Sequence, residues 1–141
     1  MRTLAIAIGN VLRGDDGVAH AALELVEQMD RRWCFQLTPE HATEIAGYDA
    51  VVFIDADTGA GQTMVEPLRE SPLPPQVTHL WSPAEIVALA RALFRFAGRA
   101  FVCRIPAEDF SAREQLSPRA AAHAQEAARQ LTRMIEDRCE L

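Results

Sequence analysis

The chain has 141 residues, enough for one well-cored domain and too few for two independent cores. Hydrophobic residues make up 49% and charged residues 24%, the balance of an ordinary soluble globular protein, which excludes collagen-like, mucin-like and disordered readings. The formal net charge of −6 argues against nucleic acid as a partner, because phosphate binding needs a basic face.

Leu4-Ala5-Ile6-Ala7-Ile8 is a continuous apolar run that stops at the turn pair Gly9-Asn10, the pattern of a fully buried strand. The run is too short for the core of a signal peptide, and no segment approaches the roughly 20 apolar residues of a membrane helix. A cytoplasmic protein without a membrane partner is expected. After a loop over 11–17, Val18, Ala21, Ala22, Leu25 and Val26 recur at helical spacing and predict a helix over 18–29. Residues 33–37 have strand character, and Thr38 then caps a short helix opened by Pro39.

Ala50-Val51-Val52-Phe53-Ile54 is the strongest strand, and Asp55 ends it. Gly59-Ala60-Gly61 is a loop. Residues 63–68 read as an edge strand, since Pro67 bars a central place. Residues 71–75 hold three prolines and are irregular. Ser82-Pro83-Ala84-Glu85 forms a capping box, starting a helix over 83–97 that Gly98 can end. Residues 100–105 form another strand, and Ser117-Pro118 opens a last Ala-rich helix that runs to residue 135. Strand and helix alternate along one domain, residues 1–141, which predicts an α/β sandwich with a mostly parallel sheet. The three cysteines, Cys34, Cys103 and Cys139, have no paired spacing. Reduced thiols are expected, two in buried strands and one in the C-terminal tail.

Ligands of open α/β sheets bind beyond the carboxyl ends of the strands. Two of those ends carry carboxylates here, Asp15-Asp16 after the first strand and Asp55 at the end of the third. The first loop is not a phosphate loop: it lacks the glycine spacing and the Lys, and its acids would repel phosphate. Asp15 and Asp16 read either as helix caps or as functional groups. Asp55 reads either as a strand-end acceptor of backbone amides or as the partner of Asp16. Two carboxylates held close repel unless a proton or cation lies between them. Of the four histidines, His20 and His123 fall in predicted helices and His41 in the short one. His79 lies where a loop feeds the helix at Ser82; it reads either as a solvated loop residue or as a functional group over the same edge. Leu80, Trp81 and Phe96 serve either a partner surface or the core.

Gly9-Asn10-Val11-Leu12-Arg13-Gly14-Asp15-Asp16-Gly17 resembles the N-terminal signature of the nickel–iron hydrogenase maturation endopeptidases. Phe53-Ile54-Asp55-Ala56 resembles their second motif, and His79 with the helix from Ser82 resembles the third. Glu108-Asp109-Phe110 and Leu116-Ser117-Pro118 are similar to recurrent later pieces. Gln36-Leu37-Thr38-Pro39-Glu40 is similar to a branch serving soluble, pyridine-nucleotide-linked hydrogenases. Two features depart from the family. Ala19 stands where a second glycine is usual, and the Gly-Thr-x-Gly that follows the second strand in many members is missing.

The resemblance implies a three-layer α/β/α sandwich around a twisted, mostly parallel sheet. It also implies a site-specific endopeptidase that removes a C-terminal peptide from the nickel-loaded precursor of a hydrogenase large subunit. Asp16, Asp55 and His79 would be both the catalytic and the metal-contacting residues. The nickel would come from the precursor, and other divalent ions could occupy the same donors. The alternative is a non-catalytic binding protein or chaperone for that precursor.

Overall fold

The computed structural model describes residues 2–77 and 79–139, apart from the side chains of 138 and 139. Its strands and helices are, in chain order, β1 (Thr3–Ile8), α1 (Val18–Glu24), β2 (Asp30–Cys34), α2 (Glu40–Ile45), β3 (Ala50–Asp57), β4 (Met64–Pro67), α3 (Pro83–Phe94), β5 (Arg99–Pro106) and α4 (Pro118–Cys139). A single 3-10 turn over Gly14–Gly17 leads into α1. The strands form one sheet in the order β2-β1-β3-β5-β4, all parallel except β4, which runs antiparallel to β5.

Each apolar strand run turns out to have two faces. Ala5 and Ala7 of β1, Val52 and Ile54 of β3, and Cys103 and Ile105 of β5 join one buried cluster. Leu4 and Ile6, Val51 and Phe53, and Val102 join another on the opposite side. Period-two alternation of side chains requires this split, and burial on both faces removes the polar alternation that would mark it in sequence. Val18, Ala19, Ala22 and Leu23 of α1 cover the first face, together with Ala120, Ala124, Ala127, Ala128 and Leu131 of α4. Ala42 and Ile45 of α2 and Ile86, Val87 and Ala90 of α3 cover the second. The result is the expected three-layer α/β/α sandwich.

Several boundaries differ from expectation. The first helix ends at Glu24 rather than residue 29, and β2 begins at Asp30, three residues before the predicted start. Its Asp30, Arg31 and Arg32 fall outside the predicted strand because charge is unusual in strands, but β2 is an edge strand, where charge guards the open side. Thr38 does not cap α2: the cap position is Pro39, with no side-chain hydrogen bond. The capping box at Ser82 forms as predicted, with Glu85 N–H donating to the Ser82 hydroxyl at 3.2 Å. The helix it opens stops three residues early, at Phe94, where Arg95 turns left-handed with φ 58° and Phe96 N–H bonds back to the Ala90 carbonyl. Gly98 has a different task, since a Cβ there would lie 2.6 Å from the Asp49 carbonyl oxygen. Phe96 is core, while Leu80 is exposed. Cys34 and Cys103 lie in strands as expected, Cys103 buried and Cys34 half-buried. The side chain of Cys139 lies outside the described residues. No helix among the described residues is long and apolar enough to cross a membrane.

Candidate active site

The chain leaves β1 toward β2 on one side and later adds β3 on the other, so the strand order reverses between β1 and β3. At such a switch point the loops splay apart and leave a crevice beyond the strand ends. Asp16 comes from the loop after β1, and Asp55 stands near the end of β3. The fold therefore brings these two acids together at the crevice. Asp55 follows Phe53 by two positions, so it projects from the face covered by α2 and α3, just above their packing.

The geometry of the first loop sets Asp16. Gly9 has φ +148°, and a Cβ on it would lie 2.1 Å from the Asp16 carbonyl oxygen. Only glycine lets the turn approach that closely. Gly9 N–H donates to the Cys34 carbonyl at 3.1 Å, continuing the β1–β2 ladder. Asn10 N–H then donates to Asp16 Oδ2 at 2.7 Å, and the Asn10 side chain accepts from Leu12 N–H at 2.9 Å. Neither Asp15 nor Asp16 caps α1, whose cap position is Gly17, without a side-chain bond.

Asp15 plays a part that no local pattern announces. It is fully buried and accepts four hydrogen bonds, from Glu108 N–H, Asp109 N–H, Ser117 N–H and the Ser117 hydroxyl, at 2.7–3.0 Å. Burial pushes its pKa up, but these donors outweigh burial and hold the carboxyl below its usual value. The segments it ties together are the two late motif fragments, Glu108-Asp109-Phe110 and Leu116-Ser117-Pro118. Ser117 in turn accepts from Ala120 N–H at 3.2 Å, in the first turn of α4. Asp15 therefore anchors the carboxylate loop to the start of a helix about a hundred residues away.

Asp55 is raised to a pKa of about 6, first by burial and then by the charges of Asp16 and Asp57, against a bond from Ala56 N–H and the nearby Arg104. A carboxyl poised there exchanges protons near neutral pH, as a general acid or base requires. Cys34 stands close enough to feel Asp55. Burial first, then the Asp55 and Glu44 charges, lift its thiol to about 11. Burial lifts Cys103 to about 12. Neither thiol is a nucleophile at neutral pH.

His79 precedes α3, the helix that packs on the same sheet face from which Asp55 projects. Its side chain is exposed, with Nε2 at 3.3 Å from Glu85 Oε1. The described residues contain no group of three His, Cys, Asp or Glu side chains set to hold a metal ion. The structure thus joins Asp16 to Asp55 and places His79 beside Glu85. Glu85 in turn accepts from Ser82 N–H at 2.9 Å, so the His79 partner is fixed by the capping box.

Two hollows flank the crevice on its β5 side. One, of about 510 Å³, begins at Asp57 and is lined by Gln62, Met64, Glu66 and Arg104. Arg104 pairs there with Glu66 and stands 3.9 Å from Asp57. The other, of about 200 Å³, lies among Thr58, Glu108, Arg119 and His123.

Solved structures share this architecture. The chain superposes on HycI, a nickel–iron hydrogenase maturation protease from Thermococcus kodakarensis, with a TM-score of 0.72 at 20% identity, covering 96% of this chain and 92% of that one. It superposes on the hydrogenase maturating endopeptidase HybD of Escherichia coli with a TM-score of 0.70 at 20% identity, covering 97% and 93%. The chain has the fold of the hydrogenase maturation proteases. HybD from Thermococcus kodakarensis adds a TM-score of 0.65 at 22% identity, with 95% and 99% covered. No family model matches the sequence, and no curated protein matches it. Against that maturation-protease fold, Ala19 proves to be a core residue of α1, fully buried against the sheet.

Proposed function

We propose that this chain is a site-specific endopeptidase that removes a C-terminal peptide from the nickel-loaded precursor of a nickel–iron hydrogenase large subunit in the cytoplasm. The observation that carries this reading is the Asp16–Asp55 pair at the switch point, on the fold shared with the maturation proteases. Two carboxylates are too few to hold a divalent ion alone. They suit an ion that arrives already held by other ligands, here the precursor's own. Oxygen donors with one imidazole fit a borderline ion such as nickel. Asp16 and Asp55 then dock the precursor, and His79 completes the contact by exchanging Glu85 for the incoming substrate. A carboxylate of the pair takes the proton from the attacking water.

The surroundings suit a macromolecular substrate. Val11 and Leu12 lie exposed in the loop after β1, Phe35 follows β2, and Leu80 precedes α3. All four stand at the carboxyl edge of the sheet, the side from which a precursor would approach the Asp16–Asp55 pair.

The test is incubation of the purified protein with nickel-loaded and nickel-free precursor, read by mass spectrometry. Loss of a C-terminal peptide from the loaded form alone is expected. Binding of the loaded precursor without cleavage would replace this reading with a chaperone role. Cleavage of both forms would remove nickel from the recognition.

A further inference from the structure

We infer that His20 is a positioning residue for this site, holding the turn that presents Asp16; the inference rests on the peptidase reading for its kinetic consequence but not for its geometry. His20 lies in α1, half-buried, one helical turn after Asp16. Its Nε2 is 3.1 Å from the Cys34 carbonyl oxygen. A carbonyl only accepts, so Nε2 carries the proton and donates. The same oxygen accepts Gly9 N–H at 3.1 Å. One acceptor at the carboxyl end of β2 thus receives both the helix that follows Asp16 and the turn that precedes it.

The consequence follows through covalent neighbours. Gly9 N–H is fixed on Cys34, and the next amide, Asn10 N–H, is fixed on Asp16 Oδ2 at 2.7 Å. His20 pins the start of α1 to the same Cys34 carbonyl, which sets how far Asp16 stands from that turn. Removing the His20 donor leaves the Cys34 carbonyl with Gly9 and loosens the first turn of α1, while Arg31, donating to the Leu23 and Val26 carbonyls, still ties the far end of the helix to β2. A shift of about 1 Å at a catalytic carboxylate costs on the order of 100-fold in rate. His20 reaches no substrate in this arrangement, so its effect belongs on kcat and not on KM.

The experiment compares the wild type with His20→Val, which lacks the donor, and His20→Gln, which keeps an N–H at similar reach. Cleavage of nickel-loaded precursor gives kcat and KM, and amide hydrogen exchange at Gly9 and Asn10 is followed by NMR. In His20→Val, kcat is expected to fall roughly 10- to 100-fold with KM within about twofold. Exchange at both amides should quicken. His20→Gln should recover both toward wild type. If His20→Val does not fold, His20→Met replaces it, keeping length without the donor. An unchanged kcat in the donor-free variant, or equal loss in His20→Gln, overturns the inference. A wild type that cleaves nothing overturns the peptidase reading alone, and exchange at Gly9 and Asn10 then still decides the role of His20.

Discussion

Three residues at the candidate site, Asp55, Asp15 and Gly9, carry separate and separable jobs. Asp55 is the costly one. Its pKa of about 6 lies above the ordinary value of 3.8, so between these pH values the folded protein keeps a proton the unfolded chain has released. The stability this proton lends is complete below pH 3.8 and is lost as pH rises through 6. At neutral pH the charged Asp55 costs on the order of 2–3 kcal/mol. Asp55→Asn should therefore abolish cleavage while stabilising the fold at pH 8, with the gain shrinking toward pH 4, as denaturant unfolding at the two pH values will show. Asp15 has the opposite sign. Its stability is present above 3.8 and lost as pH falls through its lowered folded pKa. In Asp15→Asn, either orientation of the amide turns an NH₂ toward a buried donor, so a loss of about 3 kcal/mol is expected in equilibrium unfolding. Gly9→Ala places a methyl 2.1 Å from the Asp16 carbonyl oxygen and should cost at least about 2 kcal/mol, together with activity. A Gly9→Ala variant of wild-type stability would show that the turn has other ways to close.

At the scale of elements, caps and edges explain where local sequence speaks clearly and where it does not. The Ser82 capping box was legible because all its partners lie within four residues, and it formed as expected. Ser82→Ala should cost about 1 kcal/mol by thermal unfolding. The Glu85 side chain that pairs with His79 should stay in place, since the backbone N–H of residue 82, which Ala retains, holds that carboxylate. The start of β2 was not legible. Asp30-Arg31-Arg32 has no strand propensity, and its pairing with Leu4, Ala5 and Ile6 is imposed by the neighbouring strand. Likewise the Ala-rich face of α4 foretold a helix but not its neighbour: only packing shows it sharing a cluster with α1.

For the whole molecule, one sheet with buried central strands and open edges sets a gradient of stability. Amide exchange in β1 and β3, each paired on both sides and packed by helices, should require global unfolding. Exchange in β2 and β4 should be faster, through local opening at the sheet edges. Equal protection across all five strands would mean that the edges do not open independently. The sequence by itself determined the alternation of strands and helices, the parallel class of the sheet, and the carboxylates at two strand ends. Those follow from periodicity, propensity and turn chemistry, which act over a few residues. The tertiary structure alone decided that Asp15 is a buried anchor while its neighbour Asp16 joins Asp55. It also decided that His20 meets the end of β2. These outcomes depend on contacts between segments up to 102 residues apart, where strand order and packing, rather than local pattern, choose the partner.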